Sequence, residues 1–149
     1  RMATAAGVDA DHRRVALACS ACISADGAHA THPNWPERHE PDHPVRLDGG
    51  PVVKTNTSAR YATDAGSAAL VLDLAQSLDI PTQQFVSRND MPCGSTIGPV
   101  TAARLGIPTV DVGVAQLSMH SARELTGVVD PWRFARLLEG FLGAGTTSA

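Results

Sequence analysis

The sequence predicts an α/β fold in which a mixed sheet is flanked by helices. Short apolar runs bounded by glycine, proline and small polar residues alternate with longer segments whose hydrophobic residues recur at helical spacing. With 149 residues, 43% of them hydrophobic and 18% charged, the chain can bury the core of one ordinary domain. A net charge of −3 gives no electrostatic basis for binding nucleic acid or an anionic membrane, so neither is expected as a partner.

The first third of the chain combines a predicted strand with a long loop. The apolar run over 15–24 predicts a buried strand that delivers Asp26 to the edge of the sheet, where open α/β folds place their chemistry. Residues 26–51 hold four of the six histidines and five of the ten prolines, a composition that predicts a functional loop. A second, short strand is predicted over 51–55.

The middle of the chain predicts a helix between strands. Thr63 and Asp64 begin a helix that an apolar stripe extends to about residue 78. That stripe consists of Val71, Leu74, Ala75 and Leu78. Further strands are predicted over 83–87 and over 108–112, the second of which we expect Gly113 to end.

Two more helices are predicted from their boundary residues. One covers about 97–105, with Ser95 or Thr96 as its cap. Pro99 lies in its first turn and Gly106 ends it.

The last helix begins at Asp130, which is expected to cap it, with Pro131 at the first helical position. Residues 114–124 are predicted to form a loop that carries His120, and residues 143–149 a loose tail. The core face of the last helix is expected to consist of Phe134, Leu137, Leu138, Phe141 and Leu142.

The cysteines favour a reducing, cytoplasmic compartment, because three is an odd number and excludes a full disulfide framework. Cys19 and Cys22 have the C-x-x-C spacing of some zinc and redox sites. Within the predicted strand, however, positions three apart point to opposite faces, so both are interpreted as core cysteines. Cys93, in a loop without an identified partner, is interpreted as inert.

Asp26 and His120 are the candidate metal ligands. Each follows an apolar run, and a carboxylate with an imidazole suits zinc, manganese or cobalt. Their spacing alone leaves two other roles open: Asp26 could cap the following loop, and His120 could be a neutral core residue. His29 is close to Asp26 in sequence and is a candidate contact to a metal ligand or to a substrate.

Two residues that each occur once in the chain are candidates for substrate chemistry. Lys54, the sole lysine, could direct its charge at an acidic substrate group or could point outward to water. Tyr61, the sole tyrosine, could donate to a developing oxyanion or could simply pack at the start of a helix.

Several sequence blocks carry a family resemblance over residues 19 to about 142. They are SADGAHATHPN (24–34), GPVVKTN (50–56), RYAT (60–63), RNDMPCGSTIGP (88–99), DVG (111–113) and QLSMHSARE (116–124). In this order they resemble the aspartyl aminopeptidases, a family of dinuclear zinc exopeptidases with a phosphorylase/hydrolase-like catalytic domain.

The resemblance implies a role for each candidate residue. Asp26 would bind one of two zinc ions, and His120 the other, with manganese or cobalt as possible replacements. Lys54 would face the acidic side chain of the substrate, Tyr61 would help to hold the tetrahedral intermediate, and His29 would lie close to the site. The function implied is a metal-dependent aminopeptidase that releases N-terminal Asp or Glu from peptides.

The chain also departs from the family pattern. Members of the family are longer, and their other metal ligands and a Glu-Glu pair lie upstream, whereas no Glu-Glu occurs here. Residues 1–149 are therefore expected to be the C-terminal portion of a catalytic domain, inactive alone and homo-oligomeric when full length. The alternatives are a decayed homologue or a non-catalytic metal-binding or assembly module. In that module Asp26, His29, His32 and His120 would form one weak site.

Overall fold

A five-stranded mixed sheet with helices packed against it is the centre of the fold, which confirms the predicted α/β class. The computed structural model describes residues 2–144. The helices are α1 (Met2–Ala5), α2 (Ala10–Ala18), α3 (Ala65–Ser77), α4 (Gly98–Leu105) and α5 (Asp130–Ala144), with a 3₁₀ turn at Pro36–Arg38. The strands are β1 (Cys22–His29), β2 (Val52–Thr55), β3 (Gln83–Val86), β4 (Thr109–Leu117) and β5 (Leu125–Thr126).

The strand order is β1-β4-β2-β3, with β5 paired to β4. Strand β4 is parallel to β1 and antiparallel to β2, and β2 is parallel to β3. Asp26 is in register with Gly113, which is also in register with Val52 on the other side. The central strand therefore separates the two strands that carry Asp26 and Lys54.

Each face of the sheet has its own core. Against one face pack the apolar stripes of α3 and α5, in a cluster that contains Val53, Val71, Val110, Val112, Phe134 and Leu137. Because side chains alternate along a strand, the neighbouring residues Val52 and Ala115 belong to the opposite face. That second face also carries Asp26, Lys54 and Asp111.

The predicted first strand was wrong at its start. Residues over 10–18 form helix α2, because the carboxylate of Asp9 accepts the backbone N–H groups of Asp11 and His12 and caps it. Strand β1 begins at Cys22 and continues to His29. Asp26 and His29 therefore lie within the strand rather than in the loop expected after it.

The interpretation of the first two cysteines as core residues of one strand was also wrong. Cys19 is exposed at the end of α2, and Cys22 is partly buried at the start of β1. Both are free thiols, as is Cys93.

The predicted strand over 108–112 is longer than expected, and the loop over 114–124 is shorter. Strand β4 passes through Gly113 and ends at Leu117, and the short strand β5 then pairs with it. A Cβ on Gly113 would lie 2.6 Å from the carbonyl carbon of Gly27. The glycine thus permits close approach of β1 instead of ending its strand.

The other predicted helices and strands are confirmed, with differences at their ends. Asp64 caps α3 in a reciprocal pair with Ser67, and Gly106 ends α4 in the left-handed conformation. Neither Ser95 nor Thr96 caps α4, because their hydroxyls donate to the Arg60 carbonyl and to Asp111.

Helix α5 forms where it was predicted, but Asp130 has a different role. Its buried carboxylate accepts the N–H groups of Asp48 and Gly50, so it anchors a loop and not its own helix. The prediction that Leu142 belongs to the core face was wrong, since it is 73% exposed. Residues 143 and 144 are helical, and the rest of the predicted tail, 145–149, lies outside the described residues.

No helix within residues 2–144 combines the length and the apolar character that crossing a membrane requires.

Candidate active site

An ion pair between Asp26 and Lys54 occupies the second face of the sheet. The Lys54 ammonium contacts the Asp26 carboxylate and also donates to the backbone carbonyl of Gly27 at 3.1 Å. The lysine side chain is 2% exposed, whereas that of Asp26 is 41% exposed. The alternative in which Lys54 points outward to water is therefore wrong. The pair presents its carboxylate to solvent and keeps its cation inside.

Tyr61 lies beside this ion pair. The Lys54 ammonium is 5.1 Å from the centre of the Tyr61 ring, and Phe85 packs edge-on against the same ring at 6.2 Å. The pKa of the Tyr61 phenol is raised, first by burial and then by its interactions with Cys93 and with nearby negative charge. The phenol is therefore protonated at neutral pH.

His29 lies at the end of β1, and His120 lies in the turn that follows the neighbouring strand β4. Register places His29 opposite Gln116, four residues before His120. The pKa of His29 is lowered, first by desolvation of its ring and then by the positive charges of His120 and Lys54. Because the pKa is lowered from its ordinary value, the neutral form of the His29 imidazole is favoured at pH 7.

The turn after β4 holds His120 in an uncommon backbone conformation. His120 has a φ of 64° and Ser118 a φ of 55°, both in the left-handed region. The His120 N–H donates to Glu124 at 2.6 Å, which stabilises the turn. His120 is exposed, so the alternative of a core histidine is wrong.

These residues provide too few ligands for a metal site. Zinc sites need at least three protein ligands, and catalytic ones keep a further position open. Over residues 2–144 no group of three or more His, Cys, Asp or Glu side chains is arranged to hold a metal ion. Asp26 and His120 have suitable donor atoms, but the described residues do not make a zinc site by themselves. The alternative of one weak site made by Asp26, His29, His32 and His120 is likewise not formed within residues 2–144.

Asp111 is a buried polar residue that was not among the site residues predicted from the sequence. It is 0% exposed on the central strand β4 and accepts hydrogen bonds from the Ala62 N–H and the Thr96 hydroxyl, each at 2.6 Å. The signal was present in the sequence, because an aspartate inside an apolar strand run must be hydrogen-bonded or paired when it is buried. Asp111 connects the segment that contains Tyr61 to the turn before α4.

The sequence is similar to one family of metallopeptidases over most of its length. A family model described as aminopeptidase I zinc metalloprotease (M18) matches residues 1–142. The "Probable M18 family aminopeptidase 2" of Streptomyces coelicolor is 53% identical over 142 residues, 95% of this chain and 33% of the relative. Its namesake in Mycobacterium tuberculosis is 50% identical over 149 residues, 100% of this chain and 34% of the relative. The chain spans about a third of the length of these curated relatives.

Solved structures show the same similarity in three dimensions. A chain of the Ape4 and Nbr1 complex matches 91% of this chain and 26% of its own length, with a TM-score of 0.86 and 41% identity. The S. cerevisiae mApe1 dodecamer matches with a TM-score of 0.80 and 30% identity, over 95% of this chain and 32% of that one. The M18 aminopeptidase of Thermotoga maritima, 20% identical, shares the fold, with a TM-score of 0.80 over 92% of this chain and 32% of that one.

Proposed function

The chain belongs to the M18 family of zinc metalloproteases, and on that premise we propose that it is part of an aminopeptidase that releases acidic N-terminal residues from peptides. Residues 1–149 are the C-terminal portion of its catalytic domain, and the upstream portion supplies the rest of the site. The comparisons support the aminopeptidase class, since the curated relatives carry that name. The preference for Asp or Glu is our inference from the site.

The observation that carries this preference is the buried ammonium of Lys54. A cation with a 2% exposed side chain has lost most of its hydration, so it attracts a second carboxylate strongly when one reaches it. Asp26 is the existing partner, and its partial exposure gives a substrate carboxylate a route to the same ammonium. A neutral substrate side chain would offer the Lys54 ammonium no opposite charge.

Tyr61 supports the reaction step of the proposal. Its phenol is protonated at neutral pH, so it can donate a hydrogen bond to the oxyanion that forms when the peptide carbonyl is attacked. His29, neutral at pH 7, can accept or donate one hydrogen bond to the bound peptide.

The metal is assigned to the complete protein. Asp26 and His120 would supply one ligand each to a pair of zinc ions, which manganese or cobalt could replace, and the remaining ligands would come from outside this chain. The family description supports zinc, and the donor types of the two residues suit it. The described residues do not complete a metal site. The roles proposed for Lys54, Tyr61 and His29 therefore involve only side chains of this chain.

The setting of the complete protein is inferred from its relatives and its cysteines. We infer a homo-oligomer, which is supported by the dodecamer of the related S. cerevisiae mApe1. We infer a cytoplasmic location, which is supported by three free thiols on the described residues.

Substrate preference of the complete protein tests the proposal. We expect Lys54→Met to lower kcat/KM for an N-terminal Asp substrate by about 10- to 100-fold, as the loss of a charge-assisted hydrogen bond implies. Activity on an N-terminal Leu substrate should change little. Arg104→Met, which removes an exposed cation from α4, is the matched control. Equal losses on both substrates would contradict a role of Lys54 in specificity.

The isolated chain tests the division of the metal site. We expect the 149 residues to show no aminopeptidase activity and negligible zinc binding in a calorimetric titration, because two ligands do not suffice. Zinc binding that both Asp26→Ala and His120→Ala abolish would instead indicate one self-contained site, as expected of a metal-binding module. Peptide hydrolysis by the isolated chain would contradict the proposed division.

A further inference from the structure

We propose that Asp111 is a positioning residue for Tyr61. It acts by fixing two segments, the backbone that follows the tyrosine and the turn before α4. The catalytic importance of that position rests on the function proposed above, whereas the positioning itself does not. Asp111 belongs to β4, and Tyr61 lies in the connection between β2 and α3. The two residues are therefore joined across the fold and not through neighbouring positions in the chain.

The first segment is held directly by Asp111. Its carboxylate Oδ2 accepts the N–H of Ala62 at 2.6 Å, and its own N–H donates to the Thr63 hydroxyl at 3.0 Å. Both partners immediately follow Tyr61. The backbone on the C-terminal side of the tyrosine is thus bound to the central strand by two hydrogen bonds.

The second segment is held by the other carboxylate oxygen. Oδ1 accepts the hydroxyl of Thr96 at 2.6 Å. A Cβ on Gly98 would lie 2.3 Å from Oδ2, so the turn before α4 is pressed against the carboxylate. Only glycine permits this approach without displacing Asp111.

The second segment in turn contacts Arg60, the residue before Tyr61. The hydroxyl of Ser95, which lies in this second segment, donates to the carbonyl of Arg60 at 3.2 Å. The backbone before Tyr61 is therefore held by the turn that Thr96 ties to Asp111. One carboxylate fixes the tyrosine from both sides.

Burial makes this arrangement specific. Asp111 is 0% exposed and has no ion-pair partner within the described part of the chain. A buried carboxylate is costly unless its oxygens accept hydrogen bonds, so each donor stabilises a single placement of its segment. Loss of either oxygen frees one segment and leaves a donor unsatisfied.

The sole tyrosine allows a direct test. The chain labelled with 3-fluorotyrosine gives one ¹⁹F resonance, which reports on Tyr61 alone. We expect Asp111→Asn to shift this resonance toward its position in the urea-unfolded chain. Thr96→Val keeps the charge of Asp111 and removes only one tie, so a smaller shift in the same direction would show that position and not charge is responsible.

Asp130→Asn is the matched control, because Asp130 is also a buried carboxylate that accepts two hydrogen bonds from a distant loop. It should lower the free energy of unfolding and leave the ¹⁹F resonance of the folded chain unchanged. Circular dichroism identifies a variant that fails to fold, and Thr96→Val then decides the result.

The possible outcomes separate the two proposals. An unmoved ¹⁹F resonance in folded Asp111→Asn or in Thr96→Val would overturn the positioning role, as would an equal shift in Asp130→Asn. If the resonance moves as expected but Tyr61→Phe leaves kcat of the complete enzyme unchanged, the proposed catalytic use of Tyr61 fails and its positioning by Asp111 stands.

Discussion

The ammonium of Lys54 on β2 contacts the carboxylate of Asp26 on β1 across the intervening strand β4. The same ammonium donates to the carbonyl of Gly27, so it is bound to two consecutive residues of β1. Gly113 lies in β4 opposite Asp26, and its missing side chain leaves room for Gly27. The only lysine of the chain thus ties two strands that do not pair with each other.

The unequal burial of this pair predicts unequal effects of removing its members. Asp26→Ala leaves a buried ammonium without its counter-ion and should lower the free energy of unfolding by about 2 kcal/mol. Lys54→Met removes the buried charge and leaves a carboxylate that water can reach, so its effect should stay within about 1 kcal/mol. Urea unfolding followed by circular dichroism measures both.

The control for this pair is an exposed ion pair on α2. Arg14 contacts Asp11 at 2.7 Å, with side chains 75% and 88% exposed. Asp11→Ala should change the free energy of unfolding little, because water screens the pair. Equal effects of Asp26→Ala and Lys54→Met would contradict the assignment of Lys54 as the desolvated partner.

Gly113 predicts a second, purely steric effect. A methyl group at this position would lie 2.6 Å from the Gly27 carbonyl carbon, so Gly113→Ala must displace β1 and should cost about 1–3 kcal/mol. Gly94→Ala is the matched control, since no atom lies within 4 Å of a Cβ there. Equal unfolding midpoints for the two variants would exclude close strand contact as the reason for this glycine.

Strongly periodic or clearly bounded elements of this fold could be predicted from the sequence. Helix α3 has a regular apolar stripe and a capping aspartate, so its local sequence and its tertiary packing both favour a helix. The apolar run after residue 14 fits either a strand or a helix by composition alone. The hydrogen bonds of Asp9 stabilise a helix that continues to Ala18, and the strand begins only at Cys22.

The residues of the candidate site could be predicted from the sequence, but the contacts between them could not. Lys54 and Tyr61 are conspicuous because each occurs once, but their proximity depends on strand order, which no local pattern encodes. Gly113 was predicted to end its strand, and the sequence could not distinguish this role from close strand contact, because both favour glycine. The buried connections of Asp111 join positions 15 to 49 residues apart, so only the folded chain reveals them.

The cysteines should differ in their rate of alkylation. Cys19 is exposed, whereas the pKa of the Cys22 thiol is raised by burial and, secondarily, by the charge of Asp111. Because the thiolate is the reactive species, iodoacetamide at pH 8 should modify Cys19 before Cys22. Peptide mass spectrometry after short reaction times measures the order. The reverse order, or a Cys19–Cys22 disulfide in the untreated protein, would contradict the structure.

Tyr61 predicts how stability depends on alkaline pH. Its pKa in the folded chain lies above its value when unfolded, which is about 10. Between these two values the folded state binds more protons than the unfolded state, so the free energy of unfolding falls as pH rises. Tyr61→Phe removes this dependence because phenylalanine has no ionisable group.

The free energies of unfolding of the wild type and of Tyr61→Phe should therefore converge as the pH rises. At pH 8 the wild type should be more stable than Tyr61→Phe by about 1 kcal/mol, the usual contribution of one hydrogen bond of a buried hydroxyl. Above pH 10 that difference should shrink, because only the wild type must keep a phenol protonated in order to stay folded. Urea unfolding at a series of pH values tests this, since every other titrating group is common to both proteins. Parallel profiles would show that the Tyr61 phenol is as accessible in the folded chain as in the unfolded one.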